Sequence, residues 1–122
     1  MREILFRGKR VDNGEWVYGF YWHYATNDIH YITTLTESNL YLDVEVIPET
    51  LGQFTGLTDK NGTKIFEGDI VKVMMADDVY SMRVQFQEGC YKIFDENNLG
   101  CDIDYFTDYE IIGNIHDKGE DQ

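Results

Sequence analysis

Hydrophobic and polar positions alternate with a period of two along most of this chain. The clearest example is Tyr41–Ile47, in which the apolar residues Leu42, Val44 and Val46 alternate with more polar residues. Such alternation is typical of a β-strand with one face in a core and the other in solvent. Similar segments recur roughly every eight to twelve residues with turn residues between them, which favours an all-β, mainly antiparallel meander or small barrel.

The same pattern predicts strands from one end of the chain to the other. The predicted strands are 4–11, 16–23, 29–35, 41–47, 53–57, 63–66, 70–75, 79–86, 90–94 and 109–116. At most one short helix is expected, over Cys101–Tyr109, where Ile103, Phe106 and Tyr109 follow a helical spacing. The segment Glu67–Val73 resembles the first strand of small SH3-like barrels, so such a barrel is an expectation for the C-terminal half.

The densest turn chemistry lies in the central stretch Gly52–Val73. Asp59–Gly62 supplies the residues of a tight turn, because Asn and Gly tolerate a positive φ, and Glu67–Asp69 supplies a second reversal. Three short strands with so little loop close at a low entropic cost, so we expect one local β unit. Gly19 stands among large side chains in the strand 16–23 and predicts a bulge or a close approach by another backbone.

The charge of the chain is strongly acidic. Its 122 residues include 23 Asp and Glu against 10 Lys and Arg, a formal net charge of −13 at pH 7. Phosphate backbones repel such a chain, so binding of nucleic acid is not expected. One alternative is a small β-barrel that binds nucleic acid through its basic start. The cationic residues there are Arg2, Arg7, Lys9 and Arg10. Another alternative is an acidic mimic of DNA that inhibits a nucleic-acid-binding protein.

Length and cysteine content predict a single cytoplasmic domain. A chain of this length suits one domain, predicted over residues 1–116, with a frayed acidic tail at 117–122. Cys90 and Cys101 form no recognisable disulfide or metal motif and are expected to be small buried hydrophobes. No signal peptide follows Met1 and no apolar run reaches the length of a membrane span, so we expect a cytoplasmic location.

No constellation of catalytic residues is recognisable, so we expect no enzyme activity, no cofactor and no metal. His23, His30 and His116 are far apart in sequence and lack the i, i+4 spacing of a helical metal pair. Asp59 begins a calcium-like run, but position twelve of that loop is Ile70 instead of a glutamate. Paired carboxylates in this acidic chain leave metal-assisted catalysis as the remaining enzyme alternative.

Two sets of residues are candidates for binding: the acidic C-terminal third with its tyrosines, and an aromatic row in one predicted strand. Trp16, Tyr18, Phe20 and Trp22 fall on one face of the strand 16–23 and are expected to line the core. Any part that stays exposed is a candidate interface, because Trp and Tyr dominate binding hot spots. The lack of a catalytic constellation beside the acidic C-terminal third predicts a non-enzymatic protein-interaction module, and exposed β edges also predict a homo-oligomer. The candidate interaction surface consists of Trp16, Tyr18, Trp22, Asp102, Asp104, Tyr105, Asp108, Tyr109 and Glu110.

Three stretches of the chain resemble one protein family in their order and spacing. The first stretch consists of Met1–Arg10 and Gly14–Gly19, and the third is Tyr109–His116. The second runs from Val46 to Val73 and contains the motifs Thr-Gly-Leu, Asp-Lys-Asn-Gly and Glu-Gly-Asp-Ile-Val. Together they are similar to the YopX-like proteins of bacteriophages and prophages. The resemblance implies a mainly β accessory protein that acts in the cytoplasm of a bacterial host. It implies no established activity and offers no catalytic residues to transfer.

Overall fold

The computed structural model describes residues 4–103 and 108–117, which fold almost entirely into β-strands. In chain order the strands are β1 Phe6–Lys9, β2 Trp16–Tyr24, β3 Ile29–Leu35, β4 Tyr41–Glu45, β5 Gly52–Thr58, β6 Lys64–Phe66, β7 Asp69–Met75, β8 Asp78–Gln87, β9 Cys90–Phe94, β10 Gly100–Asp102 and β11 Glu110–Asn114. A 3-10 turn, Pro48–Thr50, precedes β5. Within the described residues there is no α-helix, and no helical segment is long and apolar enough to cross a membrane.

The prediction of an all-β, antiparallel fold is confirmed. β3 and β9 begin and end where the alternation predicts. The alternation does not predict β10, because the helical spacing that begins at Ile103 leads to a helix prediction that already starts at Cys101. The start of the predicted short helix is wrong, since Cys101 and Asp102 belong to β10, and positions 104–107 lie outside the described residues.

Contacts divide the chain into two compact units, Met1–Phe54 and Thr55–Gln122. The first unit holds β1 to β4 and the start of β5. The second unit holds the rest of β5 and β6 to β11. This division does not test the expectation of one domain over residues 1–116, which stays a prediction. The end of the predicted tail, from position 118, lies outside the described residues.

The first unit is an antiparallel sheet in which β2 lies between β1 and β3, β4 lies on the far edge, and β1 also pairs with β5. One face of this sheet carries the core. The core residues are Val17, Ile32, Val44 and Val46, with Phe6, Tyr21 and Leu51 packed against them. The prediction that one side of Tyr41–Ile47 faces inwards is confirmed for Val44 and Val46, which are 6% and 1% exposed, whereas Leu42 on the same side is 47% exposed.

Gly19 lies at a close approach of two backbones, as its position in a run of large side chains predicts. A Cβ atom at this position would lie 2.1 Å from the carbonyl oxygen of Thr33. The neighbouring pair Phe20 and Thr33 begins the register of β2 with β3. A side chain at Gly19 therefore conflicts directly with the pairing of these strands.

The second unit contains an antiparallel meander. β7, β8, β9 and β10 follow one another across the sheet, and β11 pairs with the other edge of β7. Its core residues are Ile65, Val71, Val73, Met82, Val84, Ile93, Ile103 and Tyr109. The described strands of this unit pair as an open meander and not as a closed barrel. The structure therefore agrees with the SH3-like expectation in its antiparallel meander but not in barrel closure.

The central stretch has the predicted order of strand, turn, strand, turn and strand, as β5, β6 and β7. The expectation that all three pair as one local unit is wrong, because β6 pairs with β5 whereas β7 belongs to the meander. The reason is the second reversal. Gly68 adopts φ 94°, and its N–H donates to Val84 while its carbonyl accepts from Ile115. The backbone of this turn is thus bound to distant strands, which directs β7 away from β6.

Asp59 is the polar residue that anchors the first of these turns. Its side chain is 7% exposed, and Oδ1 accepts the N–H groups of Asn61 at 2.9 Å and Thr63 at 3.0 Å. Oδ2 accepts the N–H of Ile111 at 3.1 Å, across 52 positions of sequence. Burial alone would raise the pKa of Asp59, but the amide donors of Ile111, Thr63 and Asn61 and the charge of Lys60 outweigh it and lower that pKa.

Asp95 repeats the local half of this arrangement without the distant contact. Its Oδ1 accepts the N–H groups of Asn97 at 2.9 Å and Leu99 at 3.0 Å, the same two positions that Asp59 binds. Asn98, at φ 63°, takes the left-handed position that Gly62 occupies in the first turn at φ 85°. The calcium-like run at Asp59 is therefore a turn whose carboxylate binds backbone amides, as the Asp95 carboxylate also does, and the turn interpretation of Asp59–Gly62 holds.

Asp59→Asn is expected to destabilise the protein more than Asp95→Asn. The amide of Asn retains one acceptor oxygen for the two local N–H groups, but its NH2 group would face the N–H of Ile111. We expect a loss of about 2 kcal/mol for Asp59→Asn and less than about 1 kcal/mol for Asp95→Asn. Urea unfolding at pH 7 with an unchanged m-value measures both. Equal losses would show that the bond to Ile111 contributes nothing.

The stability that Asp59 contributes is expected to depend on pH. Because the folded pKa of Asp59 lies below its ordinary value of 3.8, the contribution is fully present above about pH 4 and is lost as the pH falls through the folded pKa. The difference in unfolding free energy between the wild type and Asp59→Asn should stay constant from pH 7 to pH 5 and shrink below pH 4. A difference that grows on acidification contradicts this assignment.

Gly19→Ala is expected to destabilise the protein by at least about 2 kcal/mol, because the carbonyl of Thr33 cannot move without breaking the β2–β3 ladder. The matched control is Gly113→Ala in β11, where a Cβ would meet no atom within 4 Å. That change should lie within about 0.5 kcal/mol of the wild type. Thermal unfolding compares the two variants, and equal effects would refute the close approach at Gly19.

Candidate functional site

The sheet of the first unit presents a row of aromatic side chains on the face opposite its core. We call this the aromatic face. Its members are Trp16, Tyr18, Phe20, Trp22 and Tyr24 of β2 and Tyr31 of β3. The expectation that the β2 row lines the core is wrong, because the intervening positions Val17 and Tyr21 pack there instead. The geometry supports the other interpretation, in which the exposed part of this aromatic row is a candidate interface.

The rings of β2 on this face are open to solvent to a degree that is unusual for aromatic side chains. Tyr18 is 45% exposed, Phe20 is 61% exposed and Tyr24 is 52% exposed. β4 adds Tyr41, 69% exposed, opposite Leu35 on the same face. Contiguous exposed apolar surface of this kind marks interaction sites in soluble proteins.

Contacts within the face hold the less exposed rings in place. Trp22 stacks on Tyr31 with ring centroids 4.5 Å apart, and the indole N–H donates to Thr33 Oγ1 at 2.8 Å. The hydroxyl of Thr33 donates in turn to Asp43 Oδ1 at 2.6 Å. Tyr24 meets Trp22 edge-on at 5.3 Å. The face is therefore ordered before any partner arrives, which lowers the entropic cost of binding.

Cationic side chains from β1 cover the Trp16 end of the face. The guanidinium of Arg7 lies 4.3 Å from the Trp16 ring centroid, and the ammonium of Lys9 lies 5.4 Å from it. Arg7 is only 6% exposed. Arg10 forms two hydrogen bonds of 2.9 Å with Asp12, which raise the pKa of Arg10 and lower that of Asp12. Buried or paired cations of this kind give little attraction for phosphate.

The acidic part of the predicted interaction surface is only partly described. Asp104 and Tyr105 lie outside the described residues, and Asp108 is exposed. Tyr109 is 3% exposed and belongs to the core of the second unit, so its inclusion in a surface is wrong. Its ring is buried because β11 pairs with β7 and brings the start of the strand over the meander core.

The other two acids of that surface lie beside lysines. Glu110 Oε1 lies 3.0 Å from the ammonium of Lys72 and 3.5 Å from that of Lys60. The hydrogen bond from Lys72 and the charge of Lys60 lower the pKa of Glu110. Asp102 Oδ1 lies 3.6 Å from the ammonium of Lys92. The negative charges of Glu110 and Asp102 are therefore partly neutralised by neighbouring lysines, which makes these residues less suited to attract a cationic partner.

The two cysteines differ in their exposure and surroundings. Cys90 is exposed, so its expected burial is wrong, and Cys101 is half-buried against the core of the second unit. Burial and the nearby charge of Asp102 raise the pKa of the Cys101 thiol, which disfavours the reactive thiolate. The Sγ atom of Cys90 is 3.8 Å from Asp102 Oδ1, a carboxylate that does not activate a thiol.

Sequence spacing does not reveal that two histidines are neighbours. His23 and His30 face each other across the β2–β3 ladder, with ring centroids 4.2 Å apart and ring planes 5° apart. The carboxylate of Asp28 lies beside both rings, 3.0 Å from His23 Nε2 and 3.5 Å from His30 Nε2. A signal for this cluster exists: a turn over Ala25–Asp28 between two predicted strands places position 23 opposite position 30.

Comparison with known proteins agrees with the fold and identifies the family. Protein EF1440 from Enterococcus faecalis has a similar crystal structure, with a TM-score of 0.58, 21% sequence identity and 95% of each chain covered. At that identity the likeness shows the fold alone. No curated protein matches. The model of the YopX protein family matches residues 5–120. The chain therefore belongs to the YopX protein family.

Proposed function

We propose that this protein is a non-enzymatic binding module that contacts a partner protein through the aromatic face. The observation that supports the proposal most directly is the exposure of Tyr18, Phe20 and Tyr24 on the face of β2 that turns away from the core. Tyr and Trp give large contact areas at a low entropic cost and are enriched in binding hot spots. A binding role also agrees with the unfavourable hydration of the apolar ring surface, which contact with a partner would remove.

The chemistry of the face favours a partner with arginine side chains. Asp43 and Glu45 of β4 lie on the same face as the rings, opposite Thr33 and Tyr31. A guanidinium can stack on an aromatic ring while its N–H groups bind a carboxylate. Arg7 over Trp16 is an example of the stacking within the chain itself. The net charge of −13 attracts a basic partner in addition.

The nucleic-acid alternative gains less support from the geometry. Arg2 lies outside the described residues, Arg7 is buried and Arg10 binds Asp12. The DNA-mimic alternative requires a row of uncompensated carboxylates. Among the described acids, Asp59 and Asp69 are buried and several others lie beside lysine, arginine or histidine.

The biological setting is a proposal of the same kind. Membership of the YopX family supports a role as an accessory protein encoded by a phage or prophage. Such a protein would act in the cytoplasm of its bacterial host, where its partner would be either a host protein or another phage protein.

Replacing exposed rings of the aromatic face is expected to abolish binding without unfolding the protein. Phe20→Ser combined with Tyr24→Ser should reduce the amount of captured partner at least about tenfold, because hot-spot aromatics contribute on the order of 2 kcal/mol each. The matched control is Phe86→Ser in β8, a ring with a similar exposure of 53%. Immobilised wild type, double variant and control are compared for capture from a bacterial lysate, followed by titration of the purified partner.

Three outcomes contradict the proposal. The first is no capture by the wild type at low or moderate salt, and the second is equal capture by the wild type and the double variant. The third is retention on single-stranded DNA near physiological salt, which favours the nucleic-acid alternative. Sedimentation distinguishes self-association: if the wild type is a dimer and only the double variant is a monomer, the face binds a second copy instead of another protein.

With an arginine-bearing partner, Asp43→Asn combined with Glu45→Gln should flatten the salt dependence of binding.

A further inference from the structure

The end of the β2–β3 hairpin gathers three side chains with the donor atoms of a metal site. These are His23, Asp28 and His30. One ring nitrogen of each histidine and one carboxylate oxygen of Asp28 all lie within 4.8 Å of one another. From this geometry we propose that the hairpin end binds one divalent transition-metal ion, of the class of Zn²⁺, Ni²⁺ or Cu²⁺. The proposal concerns the core-side face of the hairpin and does not depend on the function proposed for the aromatic face.

The distances agree with those of a zinc site. With metal–ligand bonds of about 2.0–2.1 Å in a tetrahedral arrangement, two ligand atoms lie about 3.4 Å apart. The Oδ1 atom of Asp28 lies 3.0 Å from His23 Nε2 and 3.5 Å from His30 Nε2. The two imidazole planes are nearly parallel, so a metal ion requires one ring to rotate. His23 is the ring that is free to do so, because it is 36% exposed, whereas His30 is 16% exposed.

His30 is held in the orientation that ligation needs. Its Nδ1 lies 2.7 Å from the hydroxyl of Tyr21, and the two rings are parallel. When Nε2 binds a metal ion, Nδ1 carries the proton and donates it in a hydrogen bond, here to Tyr21 Oη. Such outer partners fix the tautomer and the ring orientation of metal-binding histidines.

The turn fixes Asp28 between the two histidines. Its φ is 58°, in the left-handed region, and its N–H donates to the carbonyl of Tyr24 at 3.0 Å. Asp and Asn tolerate this conformation better than most residues do. The carboxylate thus projects from a closed turn and not from a mobile loop. A ligand set of two imidazoles and one carboxylate favours zinc, nickel and copper over magnesium and calcium, and it leaves a fourth position for water or a partner's side chain.

Titration of the 122-residue chain with zinc chloride, followed by calorimetry, tests the proposal. We expect one zinc ion per chain for the wild type. Asp28→Asn, which keeps the left-handed turn, and His23→Gln, at an exposed position, should each weaken binding at least about tenfold. The matched control is His116→Gln, which removes the third histidine and leaves the hairpin intact, so its affinity should equal that of the wild type. Thermal unfolding in the absence of zinc confirms that each variant is folded.

Ring resonances of the histidines give a second readout. Zinc should shift the signals of His23 and His30 and leave those of His116 in place, whereas magnesium and calcium should shift none of them. Tyr21→Phe should weaken binding about tenfold through the lost hydrogen bond to His30. The proposal is overturned if the wild type shows no saturable zinc binding. It is also overturned if Asp28→Asn and His23→Gln bind as tightly as the wild type, which would place the ion at other carboxylates.

Discussion

The choice of which face of β2 is buried controls both candidate sites of the first unit. Side chains alternate across a strand, so a shift of register by one residue would exchange every inward residue with an outward one. Val17 packs with Ile32 and Val44, and the carbonyl of Thr33 approaches Gly19 too closely to admit a side chain. These contacts fix the β2–β3 register. Once it is fixed, the large rings of β2 face solvent on one side and His23 meets His30 on the other.

Strands and turns that depend on a few neighbouring residues could be predicted from the sequence. Pairings between segments that are distant in sequence could not. The alternation in β3 and the turn residues at Asp59–Gly62 act over a few positions, so pattern and turn chemistry suffice for them. β2 is apolar on both faces, so its pattern does not show which side enters the core, and ring size alone favours the wrong side. The core of this sheet is formed by β-branched residues, Val17 and Val44 among them, whereas Phe20 lies on the face with Asp43.

The turns at Asp59 and Asp95 share the same local hydrogen bonds but differ in their contacts with distant strands. Asp59 and Asp95 each bind the amides two and four residues ahead, so each sequence encodes its own turn. Only Asp59 also reaches β11, through Ile111, and the carbonyl of Tyr109 accepts the N–H of Lys60 beside it. The Asp59 turn thus binds β11, whereas the Asp95 turn is bound by Arg83 of β8, which donates to the carbonyl of Asp95 at 3.0 Å and to Asn98 Oδ1. The partner of Asp59 lies 52 positions away and that of Asp95 lies 12 positions away, so the local pattern of neither turn reveals its contact.

The placement of the aromatic face and the histidine cluster on opposite sides of one hairpin makes the two proposals independent. Phe20 and Tyr24 share one face of β2, whereas His23 and its neighbour Tyr21 share the other. Substitution of an exposed ring therefore leaves the histidine cluster unchanged, and removal of a metal ligand leaves the exposed rings in place. A loss of both properties in one variant would have to come from the ladder that the two faces share. Because a side chain at Gly19 would collide with the carbonyl of Thr33, a substitution there perturbs the ladder without removing an exposed ring or a proposed metal ligand.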